Sequence, residues 1–183
     1  MRSFNWDSIE ASNDGAFTPL PAGGYVAKIL DMVDNEQKEY VELIYDIAEG
    51  EHAGYYSDDF GQSHPYTHHL FLSYRTEGAL RMTKGRLVRI QESNPGFDPF
   101  AAFNAGRFDM FRNRLVGINL QEEEYEGRDG DVKTRLNVCQ VVNAQDVRDG
   151  KVKPRPKKEL DGKPTNASST DDSADDIEVP FIV

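Results

Sequence analysis

Cysteine is almost absent: Cys139 is the only one in the chain. That excludes an internal disulfide framework, leaves too few thiolates for a cysteine-rich zinc site, and points to a reducing, cytoplasmic setting. No apolar run approaches the roughly 20 residues needed to span a bilayer, and nothing near Met1 has the basic-then-apolar pattern of a secretion signal, so no membrane partner is expected. A Gly-rich phosphate loop with its Lys-Ser/Thr pair is also missing. Positive charge is scarce: 21 Lys and Arg against 32 Asp and Glu give a net charge of -11. Taken whole, that balance opposes phosphate binding, which depends on Lys and Arg. Its distribution is uneven, however. From Glu159 onward seven acids meet one base, Lys163, so more than half of the net charge lies in that last stretch. Before it, Arg75, Arg81, Lys84, Arg86 and Arg89 oppose only Glu77, and Lys151, Lys153, Arg155, Lys157 and Lys158 form a second basic zone.

The apolar pattern predicts a mainly β body with a helical insertion. Met1 to Pro21 reads as an irregular arm with aromatic anchors at Phe4, Trp6 and Phe17. Tyr25 to Met32 follows a Pro/Gly turn and reads as a strand, with Tyr25, Ala27, Ile29 and Asp31 on one side. Tyr40 to Ile47 alternates Val41, Leu43, Tyr45 and Ile47 with Tyr40, Glu42, Ile44 and Asp46, and the polar connection Asp34 to Glu39 before it reads as a hairpin joining two strands. Tyr55 and Tyr56, after Gly50 and Gly54, predict a short third strand. His68 to Ala79 and Leu87 to Glu92 carry helical spacing and end at the stop signal Asn94-Pro95-Gly96. Leu115 to Leu120 and Val132 to Val142 flank Asp129-Gly130, a hairpin marker. Strand, strand, strand, helix, strand, strand is the order of an OB-fold, a five-stranded Greek-key barrel. Residues 1–150 are therefore expected to form an OB-fold-like domain with an N-terminal arm. Residues 151–183 are expected to be a basic linker and a disordered acidic tail.

No catalytic constellation emerges, so the protein is not expected to be an enzyme, and no cofactor or metal is implied. His64, His68 and His69 near Asp58 and Asp59 have metal-compatible spacing but lack a matching set elsewhere. Glu122-Glu123-Glu124 would alternate faces on a strand and reads as a solvated loop. Rings beside cations are what single-strand binding needs, because bases stack on aromatic faces while Arg and Lys hold phosphates. The candidate DNA-binding residues are Tyr25, Lys28, Tyr55, Tyr74, Arg75, Arg107, Phe108, Arg112, Arg114, Tyr125, Arg128 and Lys133. Arg107 to Arg114 is the richest stretch and the expected groove wall. Candidate partner-binding residues are Asp175, Asp176, Ile177, Pro180 and Phe181, acids that steer toward a basic groove followed by an apolar anchor.

Asp175-Asp176-Ile177-Glu178-Val179-Pro180-Phe181 resembles the Asp-rich, Ile-Pro-Phe-ending tip of bacterial single-stranded DNA-binding proteins, although Ile182 and Val183 follow Phe181 here. A second resemblance rests on Pro21-Ala22-Gly23-Gly24-Tyr25, Ile47-Ala48-Glu49-Gly50-Glu51 with Gly54, Glu92-Ser93-Asn94-Pro95-Gly96-Phe97, and Gly117 followed by Glu122-Glu123-Glu124-Tyr125. These blocks are similar to a family of small proteins from phage and mobile-element replication modules of Gram-positive hosts. That resemblance implies a single-stranded DNA binder in the bacterial cytoplasm, acting in replication or recombination, with replication or recombination proteins as tail partners. A protein-protein adaptor without DNA affinity, and a metal-dependent nuclease using His68, His69 and nearby acids, are the competing expectations.

Overall fold

The structure, a computed structural model, describes residues 20–57 and 67–160. Five antiparallel strands form one sheet: β1 (Gly23–Asn35), β2 (Tyr40–Ile47), β3 (His69–Ser73), β4 (Leu115–Glu126) and β5 (Val132–Val142), in the spatial order β3-β2-β1-β4-β5. Helix α1 (Glu77–Ser93) links β3 to β4, followed by α2 (Pro99–Asn104) and a 3-10 turn over Phe108–Phe111, while α3 (Ala144–Arg148) follows β5. β1 is the hinge of the architecture because it pairs with β2 on one side and β4 on the other.

Period-2 patterning sets the inner face. Val41, Leu43, Tyr45 and Ile47 point inward from β2, as their alternation predicts, and meet Ala27, Ile29 and Met32 of β1. A bulge between Ile29 and Asp31 inserts one residue, so Met32, not Asp31, continues the core face; an extra residue flips every later side chain. Val116, Ile118 and Leu120 supply the inner face of β4. Thr76 caps α1 by accepting from the Ala79 amide, and the helix buries Thr83, Leu87 and Ile90. It stops at Asn94, whose side chain donates to the carbonyls of Ile90 and Leu115 and accepts from the Leu115 amide.

Four sequence expectations are corrected. The barrel does not close: β3 and β5 end the sheet, and no ladder joins them. Tyr55 and Tyr56 sit in turns, where Tyr56 packs edge-on to Tyr45 at 5.7 Å between centroids instead of pairing as a strand. The third strand is His69–Ser73, read as helix because Leu72 and Leu80 also fit a helical period; the helix begins only at Glu77. Finally, residues 151–160, expected in an unfolded tail, run across the sheet as a strap. Asn119 Nδ2 donates to the Lys153 carbonyl and Gln121 Nε2 to the Pro156 carbonyl, and Lys158 then pairs in parallel with Glu123. The strap lies close because Gly24 has no side chain: a Cβ there would meet Val152 at 2.9 Å. Among the described residues, no helix is long and apolar enough to cross a membrane. The arm up to Pro19 and the tail from Asp161, including Asp175, Asp176, Ile177, Pro180 and Phe181, lie outside the described residues.

Candidate nucleic-acid interface

His69-Leu70-Phe71-Leu72-Ser73 alternates. Leu70 and Leu72 are buried, so Phe71 is turned to the other face, where it is 48% exposed. On that outer face it meets Tyr40 of β2 edge-on, 5.0 Å between ring centroids. His69, on the same face, places Nδ1 2.6 Å from Glu42 Oε1. The two rings form an aromatic platform on the outer face of the sheet, and exposed aromatic rings are surfaces on which planar groups stack.

The platform adjoins a cleft of about 430 Å3 between the ends of the sheet, lined from one side by His69, Leu70 and Phe71 of β3 and from the other by Arg135 to Val138 of β5. Tyr45 lies within it, and Arg86 enters from α1, its Nη1 donating to the Phe71 carbonyl at 2.6 Å. Burial lowers the pKa of Arg86 from its ordinary value, yet a guanidinium stays charged at any physiological pH. Arg135 donates through Nη2 to Glu123 Oε2 at 3.1 Å, and its guanidinium carbon lies 5.1 Å from the Tyr125 ring centre.

The twelve sequence candidates do not gather in one place. Tyr25 and Tyr55 sit at one end of the body, in an aromatic array with His52 and Tyr56; the Tyr25 hydroxyl donates to the Pro21 carbonyl and that of Tyr55 accepts from the Leu20 amide. Lys28 lies mid-strand on β1, opposite Leu115 and Asp46. Tyr74 donates to Asp34 Oδ1 at 3.0 Å beside the exposed Arg75. Tyr125, Arg128 and Lys133 lie at the β4–β5 hairpin, with Lys133 on Asp129 at 2.6 Å.

The expected groove wall, Arg107 to Arg114, is largely engaged. Arg107 pairs with Asp109, Arg112 makes a bidentate pair with Asp31, and Arg114 covers the Phe97 ring at 4.5 Å. Phe108 packs edge-on to Phe103 at 5.7 Å. In the second basic zone, Lys151, Lys157 and Lys158 meet Asp149, Glu124 and Glu123. Lys28, Arg75, Lys84, Arg86 and Arg128 are among the cations with no carboxylate of the described residues within ion-pair distance.

Phe71, Tyr40 and Arg135 carry no role in the sequence reading, and Arg86 enters it only as a member of the first basic zone. The period-2 run around Phe71 was the available signal, since a ring between two inward leucines on a strand must face outward. His68 and His69, considered as metal ligands, diverge: His68 stacks on Tyr56 at 4.9 Å and is buried, whereas His69 contacts Glu42.

The three glutamates Glu122, Glu123 and Glu124 lie on β4, not in a loop, and Glu123 faces the strap, only 7% exposed. Burial pushes its carboxyl up, but hydrogen bonds from Lys158 and Arg135 outweigh that and hold it below its ordinary value. A folded-state value below the unfolded one contributes stability above the ordinary Glu range, lost as pH falls through the lowered value. The strap is therefore expected to loosen as pH falls below the ordinary Glu range. Limited proteolysis or amide exchange of residues 152–160 at pH 7 and pH 3 checks this, and Glu123→Gln should loosen the strap already at pH 7.

No protein-family model matches the chain, and a search of curated proteins finds no match.

Proposed function

We propose that this chain is a non-catalytic single-stranded DNA-binding protein whose body is an OB-like barrel left open between β3 and β5. The order β3-β2-β1-β4-β5, with a helix between β3 and β4, supports the OB reading, because that fold is a partly open five-stranded barrel that binds oligonucleotides on its sheet face. The observation that carries the reading is the exposed Phe71–Tyr40 pair beside a cleft bearing Arg86 and Arg135. A strand stacks one or two bases on the rings, and its phosphates pass Arg86, which has no carboxylate to displace. The acidic segment that leads into Pro180-Phe181 recruits replication or recombination proteins in this reading, by steering to a basic groove and inserting an apolar anchor.

Fluorescence anisotropy with labelled oligothymidylate and a duplex of equal length tests the proposal. Tighter binding of the single strand, with affinity falling as salt rises, is the expected result. Equal affinity for both forms, or none at 20 mM salt, would sink it. One observation favours the adaptor reading: most of the described cations are already neutralised by acids, as Arg107, Arg112, Lys133 and Arg148 are. The same titration separates the two, since an adaptor leaves the anisotropy unchanged.

A further inference from the structure

Where the strap crosses the sheet it leaves space beneath it. A cavity of about 470 Å3 lies there, floored by Asn119, Gln140 and Val142 of β4 and β5 and walled by Val152, Lys153 and Arg155 of the strap. Asn119 and Gln140 are direct cross-strand partners, so their two carboxamides stand side by side on one face. Asn119 is 2% exposed, and its orientation is fixed because Nδ2 donates to the Lys153 carbonyl at 3.0 Å. Its Oδ1 is the atom left over: buried, with no donor among the described residues. A buried acceptor without a donor is destabilising, and an incoming N–H that satisfies it recovers the loss on binding.

The second carboxamide supplies the opposite group. Gln140 Oε1 accepts from Arg155 Nη2 at 3.4 Å, which leaves Nε2 as its donor. The charges around the floor are mostly positive. Lys153 has no carboxylate of the described residues within ion-pair distance, and Asp146, the acid among the lining residues, is already met by Lys151 at 3.3 Å. An acceptor beside a donor, between apolar walls and next to cations, matches a planar ligand with an adjacent N–H and acceptor on one edge and an anionic group attached. The pairing edge of every nucleobase has that arrangement, and enzymes that hold a single base read it in this way. The volume also lies within the usual range of small-molecule sites, about 300 to 1,000 Å3. We propose that the cavity beneath the strap binds one nucleotide: Asn119 Oδ1 accepts from the base, Gln140 Nε2 donates to it, and Lys153 and Arg155 hold its phosphate.

This site and the β3–β5 cleft share no lining residue. The proposal therefore does not rest on strand binding at Phe71. Two sources carry the same chemistry, a free nucleoside monophosphate and a nucleotide within a strand, and competition between them tells which one the cavity takes.

Titration of the isotope-labelled full chain with thymidine 5′-monophosphate, followed by NMR, tests this. Saturable shifts of the Asn119 and Gln140 side-chain amides and of the strap backbone around Lys153 are expected. The N3-methyl derivative keeps the phosphate but lacks the base N–H, and should bind at least ten-fold more weakly, a control that needs no variant. Gln140→Leu, and separately Lys153→Glu with Arg155→Glu, should each weaken the nucleotide at least ten-fold at an unchanged melting temperature, since these side chains are exposed. No saturation at up to about 10 mM overturns the proposal. So does equal binding of the N3-methyl form, or of inorganic phosphate alone, either of which reduces the site to an anion held by surface cations. Shifts confined to Phe71 and Arg86 overturn the location and put the nucleotide in the cleft. With the cavity shifts present, displacement by oligothymidylate assigns it to the path of a strand, and independence from oligothymidylate assigns it to the free nucleotide. A chain that binds the monophosphate here but no oligothymidylate at all sinks the functional reading alone.

Discussion

Phe71→Ala is expected to weaken binding of single-stranded oligothymidylate by about ten-fold or more, given roughly 1 to 3 kcal/mol per stacked base and 1.4 kcal/mol per decade of affinity. The ring is half exposed and touches Tyr40 on the surface, so its removal should change stability by no more than about 1 kcal/mol. The slope of log affinity against log salt should stay unchanged, because no phosphate contact is lost. Arg86→Ala should do the reverse, reducing the slope while leaving stacking intact. Measured affinity within two-fold of the parent for Phe71→Ala would remove the platform from the interface.

Phe111→Ala is expected to lower stability by about 3 to 5 kcal/mol and the melting temperature by roughly 10 °C. The ring is fully buried and lies edge-on to Phe97 at 5.1 Å between centroids, with Arg114 over the same Phe97. Collapse into the space is opposed because the 3-10 turn is tied to β1 by the Asn113 amide on the Ile29 carbonyl and the Ile29 amide on the Arg114 carbonyl. Thermal melts of Phe71→Ala and Phe111→Ala side by side check the contrast. A melting temperature for Phe111→Ala within 3 °C of the parent would mean that the 107–114 segment does not plug the body.

The pair of variants also marks where sequence reasoning stops. β2 is read correctly to the residue because its alternation is strict, and the Asn94 stop and the Asp129-Gly130 hairpin are local signals that structure leaves in place. β3 is misread because five residues between a turn and a helix carry leucines that satisfy both periods. Arg112 looks like a free cation in sequence, since its partner Asp31 lies 81 positions away. The same distance effect hides the strap, whose lysines find Glu123 and Glu124 only after the sheet forms. Local patterns specify elements; pairings across the sheet decide which charges and rings are left for a ligand.

The central place of β1 bears on how the chain is made. Its first edge is satisfied early, by a β2 that begins five residues after β1 ends, but its second edge waits for Leu115 to Leu120 of β4. At about 5 to 20 residues per second, synthesis leaves that edge open for several seconds after the hairpin emerges. Pairings so far apart in sequence also slow folding, because a long loop must close before any contact rewards it. Nascent β1 is thus the segment most exposed to mispairing, and Lys28, Asp31 and Asp34 are the charges that guard it during that interval.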